Sequence, residues 1–576
     1  MSKGQTGKTP GTGPGSGVLA DRWAMWRGLR LAGPVGFVAP PEPRTIGMYA
    51  RGKMLLAGSY FHGGGVTERP DLPIWDVNTE IADFVDLAQG FGWLDDLAAV
   101  GDARARARAQ DWTWEWIARF GGGRGPGWRA DILGRRVVRW INHAPFLTAG
   151  KPGAEADRFQ RYLTAQARLL ARRWGKAQRG LPRVEALTGM VIAGLALQDM
   201  GGHVAPALKA LDAEVMAAVD EQGGIGSRNP EELLDLFTHL TWAEEALAGT
   251  GRLASPGLQA GIERIAPVLR VLRHADGGLA RFQGGGRGME GRLDQALAAA
   301  GVRAVAGQHL AMGYVRLQGG RTTLIVDGAA PPAGRASHAS TNAFELTSGR
   351  RPLIVSCGSG TPFGADWHQA GRATASHSTL CIEGYSSSRF GAADEESLVD
   401  KAQVTVLRLN PGENGLALHI AHDGWARTHG LSHVRDLALT NDGRHLSGVD
   451  RLSAISTAEK RRFEQLLAEG RVRGVEFALR FHVHPDVEAT LDMGGRAVSL
   501  VLRSGEIWVF RSDGVGRLSL DPSIYLEKAR MQPRATQQIV LSARAGDFET
   551  ALGWTLAKAQ DTPLAIRDLE RDEIPT

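Results

Sequence analysis

The feature that most constrains this chain is a change of hydrophobic period part-way along it. Up to about residue 300 the apolar residues recur every three or four positions, and beyond about residue 305 they recur every two. The first spacing lines one face of an α-helix and the second lines one face of a β-strand, so the two parts must be packed by different rules.

In the first part, Ile81, Phe84, Val85 and Ala88 follow Asn78, a predicted N-cap, and Trp112, Trp116, Ile117 and Phe120 form the next stripe. Further stripes are Leu133, Val137, Trp140 and Ile141; Phe159, Leu163, Leu170 and Trp174; and Val184 to Leu197. They continue with Leu208, Leu211 and Val215; Leu233, Leu236, Phe237 and Leu240; and Ile262, Ile265, Leu269 and Leu272. Consecutive helices joined by short Gly- or Pro-bearing links predict stacked helical hairpins. Periodicity leaves open whether they close into a toroid or run on as a solenoid.

The second part reads as strands at Thr322 to Val326, Phe344 to Leu346, Pro352 to Val355, Val404 to Leu407 and Leu416 to Ile420. Phe477 to Val483, Ala497 to Leu502, Glu506 to Phe510 and Gln538 to Leu541 continue the pattern. Short strands separated by Asn-Asp-Gly and Ser-Gly turns predict antiparallel sheets packed face to face. The Gly-rich stretch from Gly277 to Gly291 is the expected boundary between the two parts.

A chain of 576 residues has material for two large cores. No apolar run approaches the length of a bilayer span, so a membrane-spanning chain is not expected. A net charge of +5, with both signs interspersed, argues against nucleic acid and suits an anionic small or polymeric substrate. Cys357 and Cys381 give neither a disulfide framework nor a metal-knuckle spacing. Residues 1–45 are expected to be disordered or extended, and no apolar core of about 7–15 residues marks a secretion signal. Gly7-Lys8-Thr9 lacks both the earlier glycine of a nucleotide loop and the strand before it, and is read as tail.

One segment narrows the choice. Ser337-His338-Ala339-Ser340-Thr341-Asn342-Ala343-Phe344-Glu345-Leu346, followed by Gly349-Arg350-Arg351-Pro352-Leu353-Ile354-Val355, resembles the signature of the heparinase II/III-like polysaccharide lyase family. Arg372 to Leu380, His422 to Trp425, His433 to Arg435, Phe481 to Pro485 and Gly505 to Trp508 extend the likeness. It is looser over Arg136 to Phe146, Gly180 to Leu195 and Gly223 to Leu236. The resemblance implies an N-terminal α/α toroid, an incomplete barrel of helical hairpins over 46–300, followed by a C-terminal antiparallel β-sandwich over 301–576. It further implies β-elimination on a uronic-acid-containing acidic polysaccharide. It points to the cell envelope, whereas the absence of a visible signal leaves the cytoplasm as the default.

Such an elimination needs a neutraliser for the uronate carboxylate, a base for the C5 proton and an acid for the leaving oxygen. By the resemblance His338 is the catalytic histidine of the strand half, and its imidazole has an intrinsic pKa suited to proton transfer. Ser340 stands where the family often has Asp. In the helical half Leu181 and Pro182 occupy the family's Asn-His positions and only Glu185 is retained; Ser227 replaces a Glu, and Glu232 stands at the tyrosine position. Arg228 and Asn229, just before Pro230, place a cation beside a helix N-terminus, an arrangement that suits a carboxylate; Asn229 reads equally well as a simple N-cap. His338, Arg228, Asn229, Glu232 and Glu185 are therefore the catalytic candidates, and Arg183, Trp114, Arg372 and His377 the substrate-binding ones.

His482 and His484 share a strand face next to Asp486, a spacing that suits the structural zinc of some relatives. The family's own ligand falls on Ser340, so neither a metal nor another cofactor is expected. Trp112 and Trp116 are assigned to the core and Trp114 to sugar stacking. Two rivals stand beside the lyase. One is a glycan-binding or polysaccharide-assembly protein that keeps the lyase fold without its catalytic set; the other is a glycoside hydrolase, for which the sequence supplies no carboxylate pair.

Overall fold

The helical stripes fold as their spacing dictates. In the computed structural model the described residues are 15–31, 36–62, 65–77, 82–304, 307–391, 397–470, 473–528, 530 and 532–559. Helices run over Ala82–Gln89, Gly92–Val100, Ala103–Arg119, Ala130–Asn142, Gly153–Arg173, Leu181–Ala196, Val204–Ala218, Pro230–Ala248 and Pro256–Val271. Every predicted stripe falls on one of them, with Phe120, Trp174, Leu197 and Leu272 one residue past the helix ends; Asn78 and Ile81 lie outside the described residues, as does Gly7-Lys8-Thr9.

The expectation that residues 1–45 are disordered or extended is corrected for part of that stretch, because Gly15–Leu31 is an α-helix. Its Met25 is fully buried, and a Cβ on Gly28 would stand 3.2 Å from the Ala165 side chain. The helix is thus held by packing on Gly153–Arg173, which a reading of local composition cannot register.

By compactness the chain divides into two units. One comprises Met1–Tyr60, Val66–Ala217 and Trp242–Gln259; the other comprises Phe61–Gly65, Ala218–Thr241 and Ala260–Thr576. The Gly277 to Gly291 stretch lies inside the second, and the limits 46–300 and 301–576 remain a proposal about independently folding parts. Within the first unit, helices Ala130–Asn142 and Leu181–Ala196 meet at two glycines. A Cβ on Gly134 would fall 2.6 Å from the Glu185 carbonyl oxygen, and one on Gly189 would fall 2.8 Å from the Gly134 Cα. Any side chain at either position would push the helices apart. Beside this crossing, the rings of Phe91 and Trp93 are 4.7 Å apart and those of Trp93 and Trp112 are 5.1 Å apart. Trp112 and Trp116 are core residues, as predicted.

The second unit holds two large antiparallel sheets and a two-stranded ribbon of Arg389–Phe390 with Leu398–Asp400. One runs in the order Val404–Gly412, Gly415–Trp425, Leu431–Thr440, His445–Ser453, Glu549–Lys558, Ile507–Ser512, Ala497–Leu502, Val487–Asp492. The other runs Arg517–Tyr525, Arg534–Ala545, Val475–Val483, Arg351–Val355, Phe344–Ser348, Thr322–Asp327, Tyr314–Gly319, Leu310–Ala311, with Leu380–Ile382 also paired to Val475–Val483. All nine strands predicted from alternation are present. Along Val475–Val483 the residues Phe477, Leu479 and Phe481 turn inward, and the Phe481 ring lies 4.8 Å from that of Trp554 in the facing sheet. Burying one such ring stabilises the sandwich by about 2–3 kcal/mol, more than any single ladder hydrogen bond contributes.

Candidate functional site

The site grows from the end of one strand. Thr322–Asp327 finishes on a carboxylate, and the loop that follows folds back so that Asn342 and Ala343 bond to the backbone of Asp327 at 2.8 Å each before Phe344–Ser348 begins. This return requires a left-handed residue, and Asn342 adopts φ 67. His338, Ser340 and the Asp327 side chain are thereby gathered in one buried patch of the second unit.

Asp327 is the hub. Its carboxylate accepts from Ser340 Oγ at 2.6 Å, from Gln283 Nε2 at 2.9 Å and from Arg228 Nη2 at 2.5 Å. Gln283 in turn accepts the His338 backbone N–H at 2.8 Å, so a single amide ties the carboxylate to the histidine. The imidazole of His338 meets His377 through Nδ1 and Nε2 at 3.2 Å. Arg372 Nε donates to the Ser337 carbonyl at 2.8 Å and Thr374 Oγ1 to that of Ala339 at 2.9 Å, clamping the backbone on both sides of His338.

Burial pushes the pKa of His338 well below that of an exposed imidazole, and His377, Arg372, His368 and Lys528 push it the same way. Burial and His482 lower His377 to about 3. Both rings are therefore neutral at pH 7. Lys528 binds Glu231 at 2.7 Å, and Arg335 is near enough to depress both His368 and Arg372. A neutral imidazole set among cationic side chains suits an anion that accepts hydrogen bonds.

Arg228 is placed differently from what its position promised. Besides Asp327, its guanidinium donates to the carbonyls of Met312 at 3.1 Å, Gly313 at 3.1 Å and Ala330 at 2.8 Å, and it lies 4.7 Å from the centre of the Tyr314 ring. The Tyr314 hydroxyl donates to the Arg228 carbonyl at 2.7 Å. Asn229 is an N-cap, its Oδ1 accepting from the backbone of Glu231 at 2.9 Å and of Glu232 at 3.2 Å, with Pro230 as the first helical residue. Glu232 lies half-buried in that first turn.

The remaining candidates belong to the first unit. Glu185 is buried 3.0 Å from Arg135 Nε. Arg183 donates to the Ala177 carbonyl at 2.7 Å and faces Glu214 at 3.4 Å. Trp114 is half-buried with Arg158 5.6 Å from its ring centre. Leu181 and Pro182 open helix Leu181–Ala196, where a proline costs nothing because the first N–H groups have no helical partner.

Sequence reasoning missed Asp327, Gln283, His368, Arg335 and Lys528. A carboxylate closing an apolar strand, Val326-Asp327-Gly328, was a usable signal; Gln283 sat unnoticed in a stretch read as linker. The expected pairing of His482 and His484 serves other ends. His482 meets Ser523 Oγ at 2.7 Å through Nδ1 and the Ala375 carbonyl at 3.0 Å through Nε2, while His484 packs on Tyr525. With both His482 nitrogens engaged the pair does not fit a metal, and among the described residues no group of three or more His, Cys, Asp or Glu is placed to hold one.

A second histidine pair lies deeper in the sandwich. The Gly424 N–H donates to His422 Nδ1 at 3.1 Å, His422 Nε2 meets His433 Nδ1 at 3.3 Å, and His433 Nε2 meets Asp450 at 2.7 Å. Arg435 at 2.6 Å and Trp554 Nε1 at 2.8 Å complete the shell of Asp450.

Residues 305–555 match the family described as heparinase II/III-like, C-terminal. FtsZ-localized protein C of Caulobacter vibrioides (strain NA1000 / CB15N) is 32% identical over 547 residues, covering 92% of each chain. A crystal structure of Heparinase III superposes with a TM-score of 0.66 at 12% identity, over 94% of this chain and 89% of that one. Heparan sulfate lyase HepC from Pedobacter heparinus gives 0.55 at 14%, over 94% and 88%. At such identities these structures speak for the fold, a helical toroid followed by a β-sandwich.

Proposed function

The chain belongs to the heparinase II/III-like family, and on that premise we propose that it holds an acidic glycan without cleaving it and works where FtsZ is assembled. A shared fold does not carry a shared reaction, so the reading rests on the site.

The observation that carries it is the engagement of Arg228. The cation best placed by sequence to neutralise a uronate is bonded to Asp327 and to three backbone carbonyls. Releasing it to a substrate would strand a buried carboxylate, at a cost of about 3–5 kcal/mol. The other catalytic positions point the same way, because Leu181 and Pro182 carry no charge and Glu232 replaces a phenol. Tyr314, the tyrosine nearest Arg228, is pushed well above its ordinary pKa by burial and is a poor base. Besides these, His338 lies near Arg372, which holds the Ser337 carbonyl, and near Lys528, whose pair with Glu231 is partly exposed and can shift towards a carboxylate or sulfate.

Association with FtsZ is proposed from FtsZ-localized protein C, whose likeness extends over 92% of this chain. A fluorescent fusion is expected to gather at the division site and to disperse when FtsZ is depleted. A fusion indifferent to FtsZ would remove that half of the proposal.

The second reading, an active lyase, is favoured by one observation: a histidine stands at the position of the family's catalytic histidine, although a pKa held well below that of an exposed imidazole makes His338 a weak base. Incubating the full chain with heparan, chondroitin and alginate polymers separates the two. Retention of a polymer without new ultraviolet-absorbing unsaturated ends supports the non-cleaving reading. Enzyme-dependent unsaturated ends that vanish in His338→Ala establish the lyase instead.

A further inference from the structure

The first unit buries a cation that no carboxylate meets. Arg136, in helix Ala130–Asn142, is fully buried. Its Nη1 donates to the carbonyls of Gln89 at 2.7 Å and Gly127 at 2.8 Å, and its Nε donates to Gln166 Oε1 at 2.6 Å. Nη2 has no hydrogen-bond partner among the described residues, and neither has Nε2 of the same Gln166, which is also fully buried. In a guanidinium the Nε–H and one Nη2–H point the same way, a fork that takes both oxygens of a carboxylate. A neutral amide brings that fork one oxygen and one nitrogen, so donors stay in excess whichever way the amide is turned. One turn further along the helix, Trp140 Nε1 is a third buried N–H without an acceptor; its ring lies 5.6 Å from that of Trp116, on which Arg136 rests at 4.2 Å. Contact with the rings of Trp116 and Trp128, the latter at 5.2 Å, offsets part of the cost of taking the charge out of water, and the larger part is left. Burial draws the Arg136 pKa down with no neighbouring charge among the described residues acting against it, yet a guanidinium stays protonated at pH 7.

We propose that the core of this unit binds one halide ion, chloride in the cell, through Arg136 Nη2 and Gln166 Nε2. The arrangement asks for an acceptor that carries a negative charge, brings no proton of its own and is small. Chloride meets all three conditions. A carboxylate or sulfate of a glycan is too large for a place where both side chains are sealed from solvent. Water accepts the same N–H groups but leaves the charge uncompensated and adds two donors to a cluster already rich in them. The ion is structural in its effect. Through Gln89, Gly127 and Gln166 the guanidinium joins helices Ala82–Gln89 and Gly153–Arg173 and the segment before helix Ala130–Asn142, so neutralising it stabilises their common contact. This inference is independent of the glycan site, since none of these residues belongs to it.

The test is thermal melting of the full chain in sodium chloride against sodium gluconate at equal ionic strength. The wild type is expected to melt higher in chloride, the gain following a one-site law, so that the folded-to-unfolded ratio rises about a hundredfold when chloride stands at a hundred times its dissociation constant. Bromide should replace chloride and quench part of the tryptophan emission saturably, because the rings of Trp116 and Trp128 flank the guanidinium. Gln166→Glu supplies the missing oxygen with its own charge. It should melt in gluconate at least as high as the wild type in chloride and show no halide dependence. Equal melting of the wild type in the two salts overturns the proposal and leaves water as the acceptor. A halide gain that persists in Gln166→Glu also overturns it, by placing the ion elsewhere. If that variant does not fold, the wild type still decides: bromide quenching that stays linear, as collisions at the surface give, counts as failure.

Discussion

The β-sandwich unit buries two pairs of touching imidazoles, and the pairs differ in what stands behind them. His422 and His433 end on Asp450, which also takes Arg435 and Trp554, so every proton in the chain has one place to be. Gly424 N–H occupies His422 Nδ1, which puts that ring's proton on Nε2 and passes the same choice to His433. His338 and His377 have no such terminus. His377 Nδ1 is buried with no hydrogen-bond partner among the described residues, and the charges that press on His338 are those of Arg372 and Lys528. A carboxylate-anchored pair is architecture; a pair without one keeps donor and acceptor choices open for something that arrives.

Four changes break or sharpen that contrast. The largest effect is expected from Asp450→Asn, which leaves Arg435 fully buried beside a neutral amide. Urea denaturation should show a loss of about 3–5 kcal/mol, and a loss below about 1 kcal/mol would mean that the anchored pair is not structural. Asp327→Asn should cost about 2–3 kcal/mol by the same assay, less because Arg228 keeps its bonds to Met312, Gly313 and Ala330.

Acidification acts on both pairs, since burial also holds His422 well below an exposed imidazole, and a His377 variant isolates one ring's share. The folded pKa of His377 is about 3, below the ~6.5 of an unfolded imidazole. The unfolded chain then binds the proton first, so the stabilisation is complete above pH ~6.5 and is lost as pH falls from there towards 3. From pH 7 to 5.5 this ring alone should remove about 1 kcal/mol, and His377→Gln should flatten the slope by that amount. Asp450, held at about 2 by Arg435 and His433 against the opposing effect of burial, is already ionised throughout this window and does not contribute to the slope. The smallest effect belongs to His338→Gln, expected within about 1 kcal/mol of wild type at pH 7 because its backbone bond to Gln283 survives. The same variant should weaken glycan retention, and unchanged retention would detach His338 from the proposed site.

Much of the fold was legible because it is written in local repetition. Phe477, Leu479 and Phe481 announce a strand with one buried face, and Asn229 before Pro230 announces a helix start. The site was only half legible. His338, His377 and Arg372 could be named from the motif around Phe344, but their environment could not, because it is assembled from Gln283, Asp327, His368 and Lys528, which are distant in sequence. Arg228 shows the difference most plainly. Its neighbours in sequence promised a cation at a helix N-terminus, whereas its neighbours in space turned it into the counter-ion of Asp327.

The order of residues by itself determined where helices give way to strands, which faces are apolar and which family positions are filled by Leu181, Pro182 and Glu232, since all of these depend on side chains at fixed spacing along one chain. Tertiary structure alone decided which charges are engaged, which imidazoles stay neutral and which side of Gly15–Leu31 is packed. Those outcomes depend on burial and on partners brought within a few ångströms by folding, and no short-range pattern encodes them.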